Sequence, residues 1–264
     1  STPPVNTDGV DTPATPAQPG ATPTASTAPT AAPIDLAPTT LAIMHGPSYR
    51  GDGKQARLNG AALASAERET LRMADVLQKM LEDTIRAFKN NDESLVYAIR
   101  EKDDVVDRLY EAIKRYMARL TQESMDKGEA NAYMQIPNFS TNLEHAGDII
   151  DKNLMPMALK KIRNQRKFSA AGLKEIEAIH DLVLESVRLA QSVLISGDLD
   201  LARKLIREKE KIRQAEIDAS ANHMDRLREG VPETIATTSL HLDIIRDYRR
   251  INSYMCTVAY PLLE

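Results

Sequence analysis

The stretch NNDESLVYAIREKDDVVDRLYEAI, residues 90–113, decides the fold. Asn90, Asn91 and Asp92 interrupt one helical pattern, and the Asp92 carboxylate can accept from the free N–H groups that open the next helix. After it, Leu95, Ile99, Val106, Tyr110 and Ile113 recur at helical spacing and form one apolar face. Asp103 stands inside that face, and Asp107 follows one turn later on the same side.

Working outward, the pattern continues in both directions. Leu63, Ala66, Met73, Leu77, Met80 and Phe88 predict a helix from about residue 61 to the Asn-Asn-Asp break. Gly128 is expected in the connection after the second helix. Pro137 is expected near the start of a third, where its missing N–H costs little. That third helix carries Leu143, Ile150, Leu154 and Met157, and Pro156 is expected to kink or end it. Ser169 can cap a fourth helix carrying Leu173, Ile176, Val183, Val187 and Leu194. Gly197 ends it, Asp198 can cap a fifth, and a sixth runs from near Pro232 to about Tyr260, stopping before Pro261.

Six amphipathic helices with short connections predict an all-α protein built of helical bundles. Arg100-Glu101-Lys102-Asp103 matches Arg207-Glu208-Lys209-Glu210, which suggests an internal repeat. The expected architecture is therefore two tandem antiparallel three-helix bundles, residues 61–167 and 168–264, preceded by a segment over residues 1–60. Ten of the 14 prolines precede residue 48, and residues 1–33 are mostly Pro, Thr and Ala. Such a composition buries too little apolar surface to offset ordering entropy, so a disordered linker is expected there. Leu41, Ile43 and Met44 could dock on the domain, and Gly51, Asp52 and Gly53 are read as a turn.

Bulk composition narrows the function. A net charge of -4 argues against general nucleic-acid binding, and the absence of Trp, with 4% aromatic residues, leaves no base-stacking platform. Cys256 is the single cysteine, so an internal disulfide or a thiolate metal cluster is ruled out, and a buried structural thiol is the expectation. No apolar run reaches the roughly 18 residues of a membrane helix. The chain opens on Ser1 without a signal-peptide pattern, and is read as an excerpt of a longer one.

The chemistry lies in carboxylates set four residues apart on or beside apolar faces: Asp103 with Asp107, Glu144 with Asp148, and Asp243 with Asp247. A carboxylate facing a core is costly unless paired, and two on one face repel each other. A bound cation would remove both costs, and hard oxygen ligands suit magnesium, calcium, manganese and iron. Ordinary salt bridges are the competing explanation, with Arg108, Lys152, Arg246, Arg249 and Arg250 as partners.

Asn142-Leu143-Glu144-His145-Ala146-Gly147-Asp148-Ile149-Ile150-Asp151-Lys152 resembles the PhoU signature, in which Leu-Glu-Arg-x-Gly-Asp opens the helix that ends each three-helix repeat. Glu101 to Asp107 resembles the second acidic element of that family. Leu240 to Ser253, with Ala259-Tyr260-Pro261, is similar to the C-terminus of sodium/phosphate (Na/Pi) cotransporter family proteins, and Glu67 to Asp75 to the start of their cytoplasmic module. The resemblance covers about residues 61–264. It implies a regulatory, non-enzymatic module on the cytoplasmic side of the inner or plasma membrane. It also implies that the partner is the membrane domain of a phosphate transporter, in the same full-length chain.

By the same resemblance Asp103, Asp107, Glu144 and Asp148 would form a first metal site, with Asp243 and Asp247 half of a second, binding iron, manganese or zinc. Three departures stand out. His145 replaces the usual Arg, Gln214 occupies the place matching Asp107, so the second site is expected to be incomplete, and Arg246 replaces the usual Gly in the sixth helix, where it could give Asp243 or Asp247 an internal counter-charge. A homodimer and contact with a membrane surface through Lys160-Lys161-Ile162-Arg163 are further expectations. A structural helical adaptor without metal is the alternative. Glu177 and His180 form a single Glu-x-x-His pair, short of the two that a di-iron site needs, while His223 and His241 look isolated.

Overall fold

A computed structural model describes residues 52–120, 125 and 127–264, with side-chain burial from residue 60 onward. The expected linker over residues 1–33 and the docking of Leu41, Ile43 and Met44 lie outside the described residues. Among the described residues the helices are α1 (Asp52–Asn90), α2 (Glu93–Met117), α3 (Lys127–Ile149), α4 (Met155–Arg163), α5 (Ala170–Ser196), α6 (Leu199–Arg228), α7 (Pro232–Met255) and α8 (Tyr260–Leu263). A π turn over Ile150–Leu154 joins α3 to α4, and a 3-10 turn over Cys256–Ala259 joins α7 to α8. Counted as continuous rods these are the six helices the periodicity predicts.

Local chemistry sets most of the ends. Asn91 takes a positive φ of 55°, and the Asp92 carboxylate accepts from the Leu95 N–H at 3.0 Å, starting α2. Ser169 accepts from Gly172 N–H at 3.2 Å, and Asp198 accepts from the N–H groups of both Asp200 and Leu201 at 2.8 Å. Gly197 closes α5 in the left-handed region at φ 60°, which a side chain would resist.

Four local expectations change. Asp52 and Gly53 are helical, as part of α1, rather than a turn. Gly128 and Pro137 both lie inside α3, because the helix begins at Lys127 and its buried face already includes Ile136 and Phe139. Pro156 does not end the rod: the helix widens to one π turn, in which the Met155 N–H reaches the Ile150 carbonyl, and Pro156 sits in the first turn of α4. Similarly, Pro261 does not stop the last helix but enters the short α8.

In the first half α1, α2 and α3 pack on one another, and in the second half α5, α6 and α7 do the same. The halves meet along α3 with α7 and α1 with α5. One contiguous core runs through both, from Met73, Leu77, Leu109 and Leu143 to Ile176, Val187, Ile244 and Tyr248. At about 1.5–3 kcal/mol for each large apolar side chain fully buried, this shared core binds the halves into one folding unit. Met73, Met80 and Cys256 are buried within it, as expected of filler and a structural thiol. Among the described residues no helix is long and apolar enough to cross a membrane.

Candidate metal centre

The site grows from the contact of α2 with α3. Asp103 lies on the buried side of α2, 5% exposed, between Ile99 and Val106. Opposite it on α3 is Gly147. A Cβ added there would stand 2.6 Å from Asp103 Oδ1 and 3.4 Å from Val106 Cγ1, so the bare backbone is what lets the two helices close around the carboxylate. Asp107 reaches the same place from one turn further along α2, and Asp148 from the residue after Gly147. Carboxylate oxygens of Asp103, Asp107 and Asp148 lie within 4.8 Å of one another. Among the described residues this is the one group of three or more His, Cys, Asp or Glu side chains placed to share an ion.

Electrostatics marks the same spot. Burial, then the charges of Asp107, Asp151 and Asp148, pushes the Asp103 carboxyl up to about 7, with Lys152 opposing. Burial and then Asp148 raise Asp107, while burial followed by Asp148 raises Glu144 against the pull of His145. Glu144 stands at the rim, its carboxylate 2.7 Å from His145 Nδ1. Asp148 is paired with Lys152, whose ammonium is held charged first by that hydrogen bond. Asp151, which the sequence did not single out, pairs with Arg100 at 2.8 Å.

Magnitudes separate the metal explanation from the salt-bridge one. Two like charges about 4 Å apart repel by about 4 kcal/mol at an effective dielectric of 20. An exposed ion pair returns only about 0–1 kcal/mol. The Lys152 side chain is 62% exposed and cannot offset the clash by itself, so in the metal-free state the Asp103 carboxyl keeps its proton up to about 7. Asp103 Oδ1 is buried with no hydrogen-bond partner at all. A buried oxygen without a donor, facing two other carboxylates, fits a cation.

Asp243 and Asp247 are not brought together with other candidate ligands. Asp243 is half-exposed and pairs with Arg246 at 2.8 Å. Asp247 is fully buried, but it accepts from Arg250 at 2.9 Å and from Asn153 Nδ2 at 3.2 Å. Both carboxylates are neutralised within the fold.

The second half lacks a counterpart to the trio. Setting the caps Asp92 and Asp198 together aligns buried Val96, Ile99 and Val106 with buried Ala202, Leu205 and Ile212. In this register Asp103 falls on Lys209 and Asp107 on Arg213. The Arg-Glu-Lys identity that suggested the repeat is therefore displaced by one residue from the register of the core. Two cations, Lys209 and Arg213, thus stand on the second half's middle helix where the first half has Asp103 and Asp107. Glu208 and Glu210 pair with Lys211 and Arg213, and Gln214 bonds Asp218.

Other candidates resolve structurally. Lys161 is buried, donating to the Phe88 carbonyl at 2.8 Å and to Asn91 Oδ1 at 2.6 Å, so it closes the end of α1 instead of facing a membrane. Glu177 pairs with Lys89, and His180 Nε2 lies 3.0 Å from the Leu81 carbonyl, so the Glu-x-x-His pair is split. His223 and His241 are not isolated: their rings stack 4.8 Å apart beside Glu175, which also accepts twice from Arg226. Their partners come from α5, α6 and α7, a convergence that no spacing along the chain announces.

Comparison with known proteins agrees with the geometry. A model of the PhoU domain matches twice, over residues 70–153 and 176–261. YjbB of Escherichia coli K12, whose name describes it as a candidate inorganic phosphate export protein, is 38% identical over 203 residues, 77% of this chain. The chain spans only 37% of the length of that relative. The Thermotoga maritima phosphate-specific transport system accessory protein PhoU homolog 1 is 26% identical over 69% of this chain and 78% of its own. In three dimensions the fold matches PhoU of Pseudomonas aeruginosa with a TM-score of 0.70 at 20% identity, covering 77% of this chain and 96% of that one. With two matched segments in the register of two helical repeats, the chain belongs to the PhoU domain family.

Proposed function

We propose that this chain is a cation-binding regulatory module of a phosphate transport system, acting as a binding part and not as an enzyme. Asp103, Asp107 and Asp148 are its ligands, with Glu144 at the rim. The observation that carries the proposal is the buried, unpartnered Asp103 Oδ1 held against Gly147 within reach of two further carboxylates. An all-oxygen ligand set suits manganese or iron better than zinc. The cation would neutralise the mutual repulsion and clamp α2 to α3.

The relatives supply the context. Membership in the PhoU domain family and the phosphate-transport names of the relatives support a role in regulating phosphate movement. Because the chain spans 37% of the E. coli relative, we propose that its partner is a membrane transport domain of Na/Pi cotransporter type, in the same full-length protein, with this module on the cytoplasmic side. Residues 61–167 and 168–264 are proposed as the two repeats, of which the first carries the metal.

The adaptor alternative rests on the ion pairs of Glu144 and Asp148, which stabilise a metal-free state. Thermal unfolding of metal-free protein with and without manganese(II) separates the two. The proposal expects a melting-temperature rise that saturates with added metal and disappears in Asp103→Asn. An equal response of wild type and variant supports the adaptor.

A further inference from the structure

The π turn after Asp148 borders a cleft of about 270 Å³ lined by His145, Asp148, Lys152, Asn153, Arg250 and Tyr254. Asp148 belongs both to this cleft and to the acidic trio. The cleft walls carry three cationic or protonatable groups, one amide and a tyrosine ring, a set matched to a small anion. Each basic group is engaged with an acid: His145 with Glu144 at 2.7 Å, Lys152 with Asp148, and Arg250 with Asp247 at 2.9 Å. His145 and Tyr254 lean on each other with ring centroids 5.4 Å apart, forming one wall from α3 and α7.

A cation shared by the trio changes these pairings. Asp148 no longer needs Lys152, whose long, 62% exposed side chain is free to turn into the cleft. A hard cation held by three carboxylates also keeps coordination positions for further oxygen ligands. Asp148 is the trio member that lines the cleft, so a further oxygen ligand for the cation would enter from that side. We propose that, with a cation in the trio, the cleft binds a small phosphate-type oxyanion between the metal and Lys152, with His145 and Arg250 completing its cationic wall. This rests on the metal reading of the trio. Without the cation, the neighbouring carboxylates Asp107, Asp148 and Glu144 repel an anion, so binding is conditional on metal. The module would then report metal and phosphate together, by an ordinary coupling between two adjacent sites.

The test is calorimetry on the whole chain in two stages. Manganese(II) is titrated into metal-free protein, and inorganic phosphate then into the metal-free and manganese-loaded forms. The expected result is saturable manganese binding, and phosphate binding to the loaded form alone. Lys152→Met is expected to bind manganese at least as tightly as wild type while losing tenfold or more in phosphate affinity, with Lys152→Arg restoring it. Lys152 is exposed, so these variants fold; Arg250 is left intact because its loss would strand the buried Asp247. Manganese binding without phosphate binding, or phosphate that strips manganese from the protein, overturns the oxyanion site and leaves the metal reading standing. No manganese binding overturns both. Unchanged phosphate affinity in Lys152→Met overturns the assignment to this cleft. Loaded protein that binds phosphatidate vesicles but not inorganic phosphate transfers the cleft to a lipid headgroup and overturns the free-anion assignment.

Discussion

Asp103 and Asp247 look alike along the chain, each an acid interrupting an apolar stripe, yet the fold treats them oppositely. Asp247 meets Arg250 and Asn153, whereas Asp103 Oδ1 meets no donor. The difference decides the pH response. The Asp103 carboxyl is raised from 3.8 to about 7, so the folded metal-free protein holds a proton across that window which the unfolded chain has released. Folded-state stability is therefore expected to fall as pH rises from about 4 through 7, by a few kcal/mol in all, and Asp103→Asn should flatten that slope. Melts of both proteins at pH 5 and pH 8 check it: Asp103→Asn should be the more stable at pH 8 without metal. Gly147 supplies a second prediction. Gly147→Ala sets a methyl 2.6 Å from Asp103 Oδ1, so it should destabilise by about 1–3 kcal/mol and weaken manganese binding at least tenfold, as read by calorimetry.

Among the elements, legibility followed sequence distance. The caps at Asp92, Ser169 and Asp198 were readable because donor and acceptor lie within three residues. The approach of α2 to α3 was readable in part, since Asp103 and the Gly147-Asp148 pair each carry a local signal. What could not be read was partnership between distant elements. Lys161 looked like a member of a solvated basic run, but α4 delivers its ammonium to the end of α1. Lys161→Met is therefore expected to cost about 1–3 kcal/mol by leaving buried acceptors unpaired, while vesicle binding stays unchanged. The π turn was equally hidden: Pro156 predicts a break, and only the packed rod shows that one wider turn accommodates it. That turn places Asp151 toward Arg100 on α2, Lys152 toward Asp148 and Asn153 toward Asp247 on α7.

For the molecule as a whole, the two repeats share a core and divide their chemistry. The first keeps acids around a glycine, and in the second Lys209 and Arg213 stand where Asp103 and Asp107 do. The short Arg-Glu-Lys identity revealed that a repeat exists but misplaced its register by one residue, because buried positions and not surface charges carry the superposition. The halves are joined along α3 with α7 and α1 with α5, including a hydrogen bond from Asn142 Nδ2 to Thr257 Oγ1 at 2.9 Å. Calorimetric unfolding should therefore show one cooperative transition for the helical region, and two resolved transitions would refute a shared core.

The most direct measurement is an anomalous difference map, recorded at the manganese edge, from crystals of this chain grown with manganese(II). A peak is expected between α2 and α3, coordinated by Asp103, Asp107 and Asp148, with Lys152 turned away from Asp148. A map without density there, with Lys152 still seated on Asp148, would contradict it.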